Sequence, residues 1–174
     1  ISEKKAEKKY EFEEAVKIVL EALGEFDVRW RKAAEKILAE KHVEVWPRKN
    51  KISGAFCATV SPKIRPYVLL NHTGSLRDVF TMAHELGHGI HSILAENHFP
   101  STQGANLPLA ETASTLAEMI VFEKMLSLEK EEKRRKAMLW SKMADSYATI
   151  LRQNYFILFE IEAHKIISRG ASEK

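Results

Sequence analysis

The run His84-Glu85-Leu86-Gly87-His88 holds the residues of this sequence best suited to chemistry. On an α-helix, positions i and i+4 stand one turn apart on the same face. Two imidazoles so placed can bind one Zn²⁺ at about 2.0–2.1 Å each. Glu85 is displaced around the helix and need not be a ligand. It can instead face a metal-activated water and take its proton, as the general base of a metallopeptidase does. Gly87 adds a second signal. Glycine costs roughly 1 kcal/mol relative to alanine inside a helix, so its presence implies close approach by another backbone or a packed helix. The plainer alternative is two solvated or core histidines beside a charged neighbour.

A catalytic zinc site commonly takes three protein ligands and keeps one position open. Candidates for the third are His91, Glu96, His98, Glu111 and Glu118. Glu111 stands out because it lies on a rather apolar run (Leu107, Leu109, Ala110, Ala113, Leu116, Ala117, Ile120) that can pack antiparallel to the motif helix. A carboxylate turned inward there needs a partner, and a cation supplies one. An exposed carboxylate in a first helical turn, favoured by the helix dipole, fits the spacing equally well. His91 is seven residues after His84 and shares its face, either as a core histidine or as support for the site. Glu118, seven after Glu111, can hold a ligand imidazole through its distal N–H. Asp78 can do the same, or cap the helix. A peptidase must also hold an extended substrate. Adding the peptide to a sheet edge achieves this through main-chain hydrogen bonds. Gly54 and Ala55 are small enough to admit such a backbone, although the segment is equally readable as a buried hairpin.

The elements that must position these residues are legible from periodicity. Apolar spacing predicts helices over about 3–23, with Gly24 as its end, and 25–41. Val43, Val45 and Trp46 read as extended, and 54–60 and 66–71 as short strands separated by Ser61-Pro62. Helices follow over about 75–97, 108–128 and 129–168. Ser75 is the N-cap of the first of these, with Asp78 three residues on. Pro100 and Gly104 mark a loop. Tyr147, Tyr155, Phe156 and Phe159 recur at helical spacing on the last helix and read as core. The predicted fold is mainly α with a small β-sheet, a single domain over 1–174. Within it, 1–42 is a helical pair, 43–72 a small sheet, 75–128 the zinc-binding helices and 129–170 a long C-terminal helix.

Composition excludes several classes. Of 174 residues 45% are hydrophobic and 29% charged, enough for a core and a solvated surface. The net charge of +3 is interleaved rather than blocked, and no basic face carries interleaved aromatics, so nucleic acid is not an expected partner. No apolar run reaches membrane-spanning length. Cys57 is the only cysteine, which excludes an internal disulfide and a four-thiolate zinc site and fits a reducing compartment. The chain starts at Ile1 rather than Met, as expected for a piece of a longer protein.

Several segments together resemble the oligoendopeptidase F and thimet oligopeptidase family of zinc metallopeptidases. They are Ser53-Gly54-Ala55-Phe56, Pro66-Tyr67-Val68-Leu69-Leu70-Asn71, the run from Asp78 through His84-Glu85-Leu86-Gly87-His88-Gly89-Ile90-His91-Ser92, and Leu109-Ala110-Glu111-Thr112-Ala113-Ser114-Thr115. Leu151-Arg152-Gln153 and Phe159-Glu160-Ile161-Glu162-Ala163-His164 share that look. The resemblance implies a mostly helical, cytoplasmic zinc endopeptidase that cuts short peptides in a deep channel. His84, His88 and Glu111 would match the ligands of one zinc ion per chain, Glu85 the general base, and His91 a family histidine after the motif. It also implies that this chain is a catalytic-core fragment. Family members are several times longer, and neither their long N-terminal helical region nor their C-terminal His- and Tyr-rich substrate-binding segment has a match here. The rival expectations are a related zinc carboxypeptidase, which needs a cationic residue to grip a terminal carboxylate, and a non-catalytic module merely braced by zinc.

Overall fold

The helix carrying the motif starts where side chains satisfy its free N–H groups. The structure, a computed structural model, describes residues 8–170. In it α3 spans Leu76–Leu94. Ser75 Oγ accepts from the Asp78 N–H at 3.2 Å, and Asp78 Oδ2 accepts from the Ser75 N–H at 2.9 Å, which completes a capping box. The same carboxylate oxygen takes the N–H and the hydroxyl of Thr73, each at 2.8 Å. Burial would push the Asp78 carboxyl up. The N–H groups of Thr73 and Ser75, with their hydroxyls, outweigh it and hold the group below its ordinary range.

The chain divides into two compact units, with the boundary between Met125 and Leu126, where the sequence alone suggests one domain. In the first unit, α1 (Phe12–Phe26) buries Ala15, Val19, Ala22 and Leu23, and α2 (Val28–Ala39) buries Ala33, Ala34 and Ile37. These stripes recur at helical spacing, and both helices pack against α3. From its side, α3 contributes Val79, Met82, Ala83, Leu86, Ile90 and Ile93. Gly24 does not end α1 as expected, because the helix continues to Phe26. The break falls at Asp27, whose extended backbone leaves α1 and whose Oδ1 caps α2 by accepting from the Arg29 N–H at 2.8 Å. Of the predicted first helix, residues 3–7 lie outside the described residues, and 8–11 precede the helix.

A three-stranded sheet lies against α3. Its order is β1-β3-β2, with β1 at Val43–Glu44, β2 at Phe56–Ala58 and β3 at Tyr67–Leu69. β1 runs parallel to β3, with Val43 opposite Val68, and β2 runs antiparallel, with Cys57 opposite Val68. β2 is therefore an edge strand, and among the described residues only β3 pairs with it. The predicted strands are shorter than read, and the loop at Pro100 holds a one-turn helix, α4 (Pro100–Gln103).

The remaining helix of the site, α5 (Leu107–Leu128), meets α3 at Gly87. A Cβ added there would lie 2.7 Å from Ser114 Cα, 2.8 Å from the Ala113 carbonyl oxygen and 2.9 Å from Ala117 Cβ. Backbone meets backbone, as the presence of glycine inside the helix predicts.

Beyond the last turn of α5, the second unit is one helical run. It comprises α6 (Glu132–Tyr147), a π-helical turn at Ala148–Arg152 and α7 (Gln153–Ser168), where an unbroken helix was expected. Tyr147, Tyr155, Phe156 and Phe159 are not core residues of this unit, contrary to the sequence reading. They are exposed, Phe159 by 73%, because a single run of helix offers no second layer to bury them.

Two outcomes follow from this packing. Gly87→Ala should destabilise the protein by about 1–3 kcal/mol, because the neighbouring atoms are two of the backbone and a Cβ, none of which can rotate away. Urea unfolding will measure this, and an unchanged midpoint would refute the close contact. Asp78 contributes stability above its unfolded pKa of about 3.9 and loses it as pH falls through its lower folded value. The stability gap between the parent and Asp78→Asn should accordingly be full at neutral pH and close under acid. A gap independent of pH would count against the ionised cap.

Candidate active site

Two helices build the cluster. The i, i+4 spacing on α3 brings the His84 and His88 rings to a centroid separation of 5.1 Å, at 81° to one another. Glu111, in the second turn of α5, reaches toward both. Its Oε2 is 3.3 Å from His84 Nε2 and 3.7 Å from His88 Nε2. One atom from each of the three residues lies within 4.8 Å of the others. Two imidazole nitrogens and a carboxylate oxygen are the donors that a catalytic zinc takes from protein, so the set fits that ion. Glu118, two turns beyond Glu111, places Oε2 3.5 Å from His84 Nδ1, on the side of the ring away from Glu111. That side is where a carboxylate fixes the orientation of a ligand imidazole.

The protonation of the cluster has identifiable causes. The bond to Glu118 raises the His84 pKa against the opposing effect of burial, with the charges of Glu85 and Glu111 assisting. Burial lowers that of His88, against the charge of Glu111. Burial also raises Glu85, whose exposure is 7%. The charge of His84 opposes this rise and that of Glu111 reinforces it. A carboxylate raised toward neutral pH is better matched to accepting a proton and later returning it.

These groups line a cavity of about 470 Å³. His84, Glu85, His88 and Glu111 form one part of its wall. Ala55, Phe56 and Cys57 from the β2 region form a second, and Gln103, Ala105 and Leu107 a third. His91 lines it too, beside His88. Among the described residues, neither lysine nor arginine does.

Two predicted site residues sit elsewhere. The Asp78 carboxylate serves the start of α3 rather than a ligand imidazole. Gly54 is not in the cavity wall. Its φ of +83° marks a turn, and its carbonyl accepts from Asn71 Nδ2 at 2.8 Å. The other candidate ligands are engaged elsewhere: Glu96 with Arg65 at 2.8 Å, and His98 Nδ1 with the Thr102 carbonyl at 3.3 Å.

Sequence reasoning missed Ser114. It is fully buried, and its hydroxyl lies 2.8 Å from Glu111 Oε2 and 3.0 Å from the Glu111 carbonyl, able to donate to either. A serine one turn after the acidic residue, on the same face, was the available signal. Cys57 lines the cavity as well. Burial, then the charge of Glu85, pushes its thiol up to about 12, so it is not a nucleophile at neutral pH. Nothing in the local sequence pointed to Gln103.

Comparisons with known proteins give the family of the chain. The sequence profile of Peptidase family M3 matches residues 1–174. The chain is 34% identical over 164 residues to the chromosomal oligoendopeptidase F of Lactococcus lactis subsp. cremoris, covering 93% of this chain and 27% of that protein. It is 30% identical over 168 residues to oligopeptidase PepF of Bacillus subtilis strain 168, covering 96% and 25%. A crystal structure described as a peptidase from Chlamydophila abortus matches with a TM-score of 0.80 at 34% identity, over 94% of this chain and 28% of the other. The chain thus spans about a quarter of the length of the curated relatives it matches.

The geometry makes metal binding and proton binding compete at His84. Glu118 at Nδ1 favours the imidazolium form, and the second proton of that form, on Nε2, must leave before Nε2 can ligate, so Zn²⁺ affinity should rise with pH through the region above the ordinary histidine value of about 6.5. Glu118→Gln should move that rise to lower pH, while His88→Ala and Glu111→Gln should weaken binding at every pH. Competition titration against a chromophoric chelator will show this. Wild-type affinity in Glu111→Gln would remove that residue from the ligand set.

Proposed function

Since this chain belongs to Peptidase family M3, we propose that it carries the catalytic core of a zinc endopeptidase acting on short peptides. The observation that supports this most is the approach of His84, His88 and Glu111 to one another, with the Glu85 carboxylate in the same cavity wall. His84 Nε2, His88 Nε2 and a Glu111 oxygen would hold the ion. When bound, zinc supplies Lewis-acid polarisation of the scissile carbonyl and a lowered pKa for the attacking water.

The chain's own residues do the rest. Glu85 takes the proton of the water as it attacks and delivers that proton to the leaving amine, so the carboxylate is restored each cycle. Glu118 holds His84 at Nδ1 and leaves Nε2 for ligation. Ser114 holds the Glu111 carboxylate, which limits its rotation away from the histidines. The free edge of β2 borders the cavity and suits an extended peptide added as a strand, with hydrogen bonds that make little demand on its sequence. On this reading, oxyanion donors and the remaining channel wall come from parts of the protein beyond this chain. Lacking one such donor typically costs about 10²–10³ in kcat. A cytoplasmic setting belongs to the same proposal. No described helix is long and apolar enough to cross a membrane.

Carboxypeptidase action would need a cation for the terminal carboxylate, and no described lysine or arginine lines the part of the cavity wall that this chain supplies. A zinc-braced module without catalysis is separated by one substitution. Glu85→Gln should lower kcat on an internally quenched peptide by about 10²–10⁴, with zinc content and thermal unfolding unchanged. Undiminished turnover in that variant would rule out the general-base assignment.

A further inference from the structure

Ser92 lies one turn beyond His88 on α3 and touches both of the other walls of the cavity. Its Oγ is 2.5 Å from Thr59 Oγ1, immediately after β2 ends. Its carbonyl accepts from Gln103 Nε2 at 3.2 Å, at the end of α4. Thr59, Ser92 and Gln103 all line the cavity.

The second bond has a physical cause. The Ser92 carbonyl is among the last four of α3, which lack helical partners. The Glu96 N–H, which a continuing helix would aim at it, turns to Ile93 at 3.2 Å instead. The Gln103 amide fills that vacancy, and it does so as a buried group, 7% exposed. An amide so buried is costly to leave unpaired, so the segment before α5 is pinned where this bond can form. The Thr59 hydroxyl pins the end of the β2 edge to the same residue.

From this geometry we propose that Ser92 is a positioning residue. By tying β2 and the α4–α5 segment to the motif helix, it sets the width of the cleft and the register of a bound peptide against Glu85. The proposal rests on the peptidase reading and deepens it. None of the three residues contacts the ligand cluster in the way that Ser114 and Glu118 do, so their effect should fall on substrate placement rather than on metal.

The test is steady-state cleavage of a quenched peptide by the longest natural chain that carries this sequence. Ser92→Ala and Thr59→Val should each raise KM about threefold to tenfold, the scale of one lost hydrogen bond. The double variant should be no worse than the poorer single one, since both remove the same tie. Thr59→Ser, which keeps the hydroxyl, should restore the parent KM. Zinc content and the pH profile of kcat should not move. A parent-like KM in Ser92→Ala, or additive effects in the double variant, would overturn the proposal. A parent with no turnover would instead defeat the peptidase reading. Hydrogen exchange then decides the two ties: Ser92→Ala must speed exchange at 56–59 and Gln103→Leu at 102–107, neither at 80–88, and unchanged rates at 56–59 or at 102–107 would refute the corresponding tie.

Discussion

Where α3 and α5 touch, less room is left than a methyl group needs. Gly87 faces Ser114 Cα, the Ala113 carbonyl and Ala117 Cβ, all nearer than an added Cβ could tolerate. That approach brings Glu111, one turn before Ser114, within reach of both imidazoles. A larger residue at position 87 would part the helices, and the carboxylate would be drawn away with α5. The cluster depends on this one glycine more than on any single polar contact. Protein interiors resist such displacement because they are packed as densely as organic crystals.

The second constraint is electrostatic. Glu85, Glu111 and Glu118 surround two imidazoles in a partly buried site. Without a cation, a proton on His84 is the available compensation, and Glu118 favours it. Burial works the other way at His88 and at Glu85. A divalent ion would displace that proton and satisfy the carboxylate it touches. Helix packing and charge therefore suit the same occupant, although they arise from different residues.

The helical run beyond Leu126 shows what a single layer cannot do. Its aromatic and aliphatic side chains recur at helical spacing, yet Tyr155 and Phe159 are exposed by 70% and 73%. Burial requires a second surface, and one helix cannot fold onto itself. Periodicity therefore identified the helix correctly while misjudging the fate of its apolar residues.

Local rules determined much of the rest from sequence alone. The i, i+4 histidines, the Ser75–Asp78 cap, the apolar stripes of α1 to α3 and the extended runs that became strands depend on neighbours within a few residues. Fold class and the placing of His84 and His88 on one helical face were legible for that reason. Glu111 was different, since a first-turn carboxylate and an inward ligand have the same spacing. Only the meeting of α3 and α5 brings that carboxylate to the two imidazoles. Gly54 went to a turn bonded to Asn71, and Ser92 and Gln103 became neighbours across a loop, both through contacts between segments. Helix and strand periods record which face is apolar. They do not record which distant residue will face it, because that is decided when separate elements share one core.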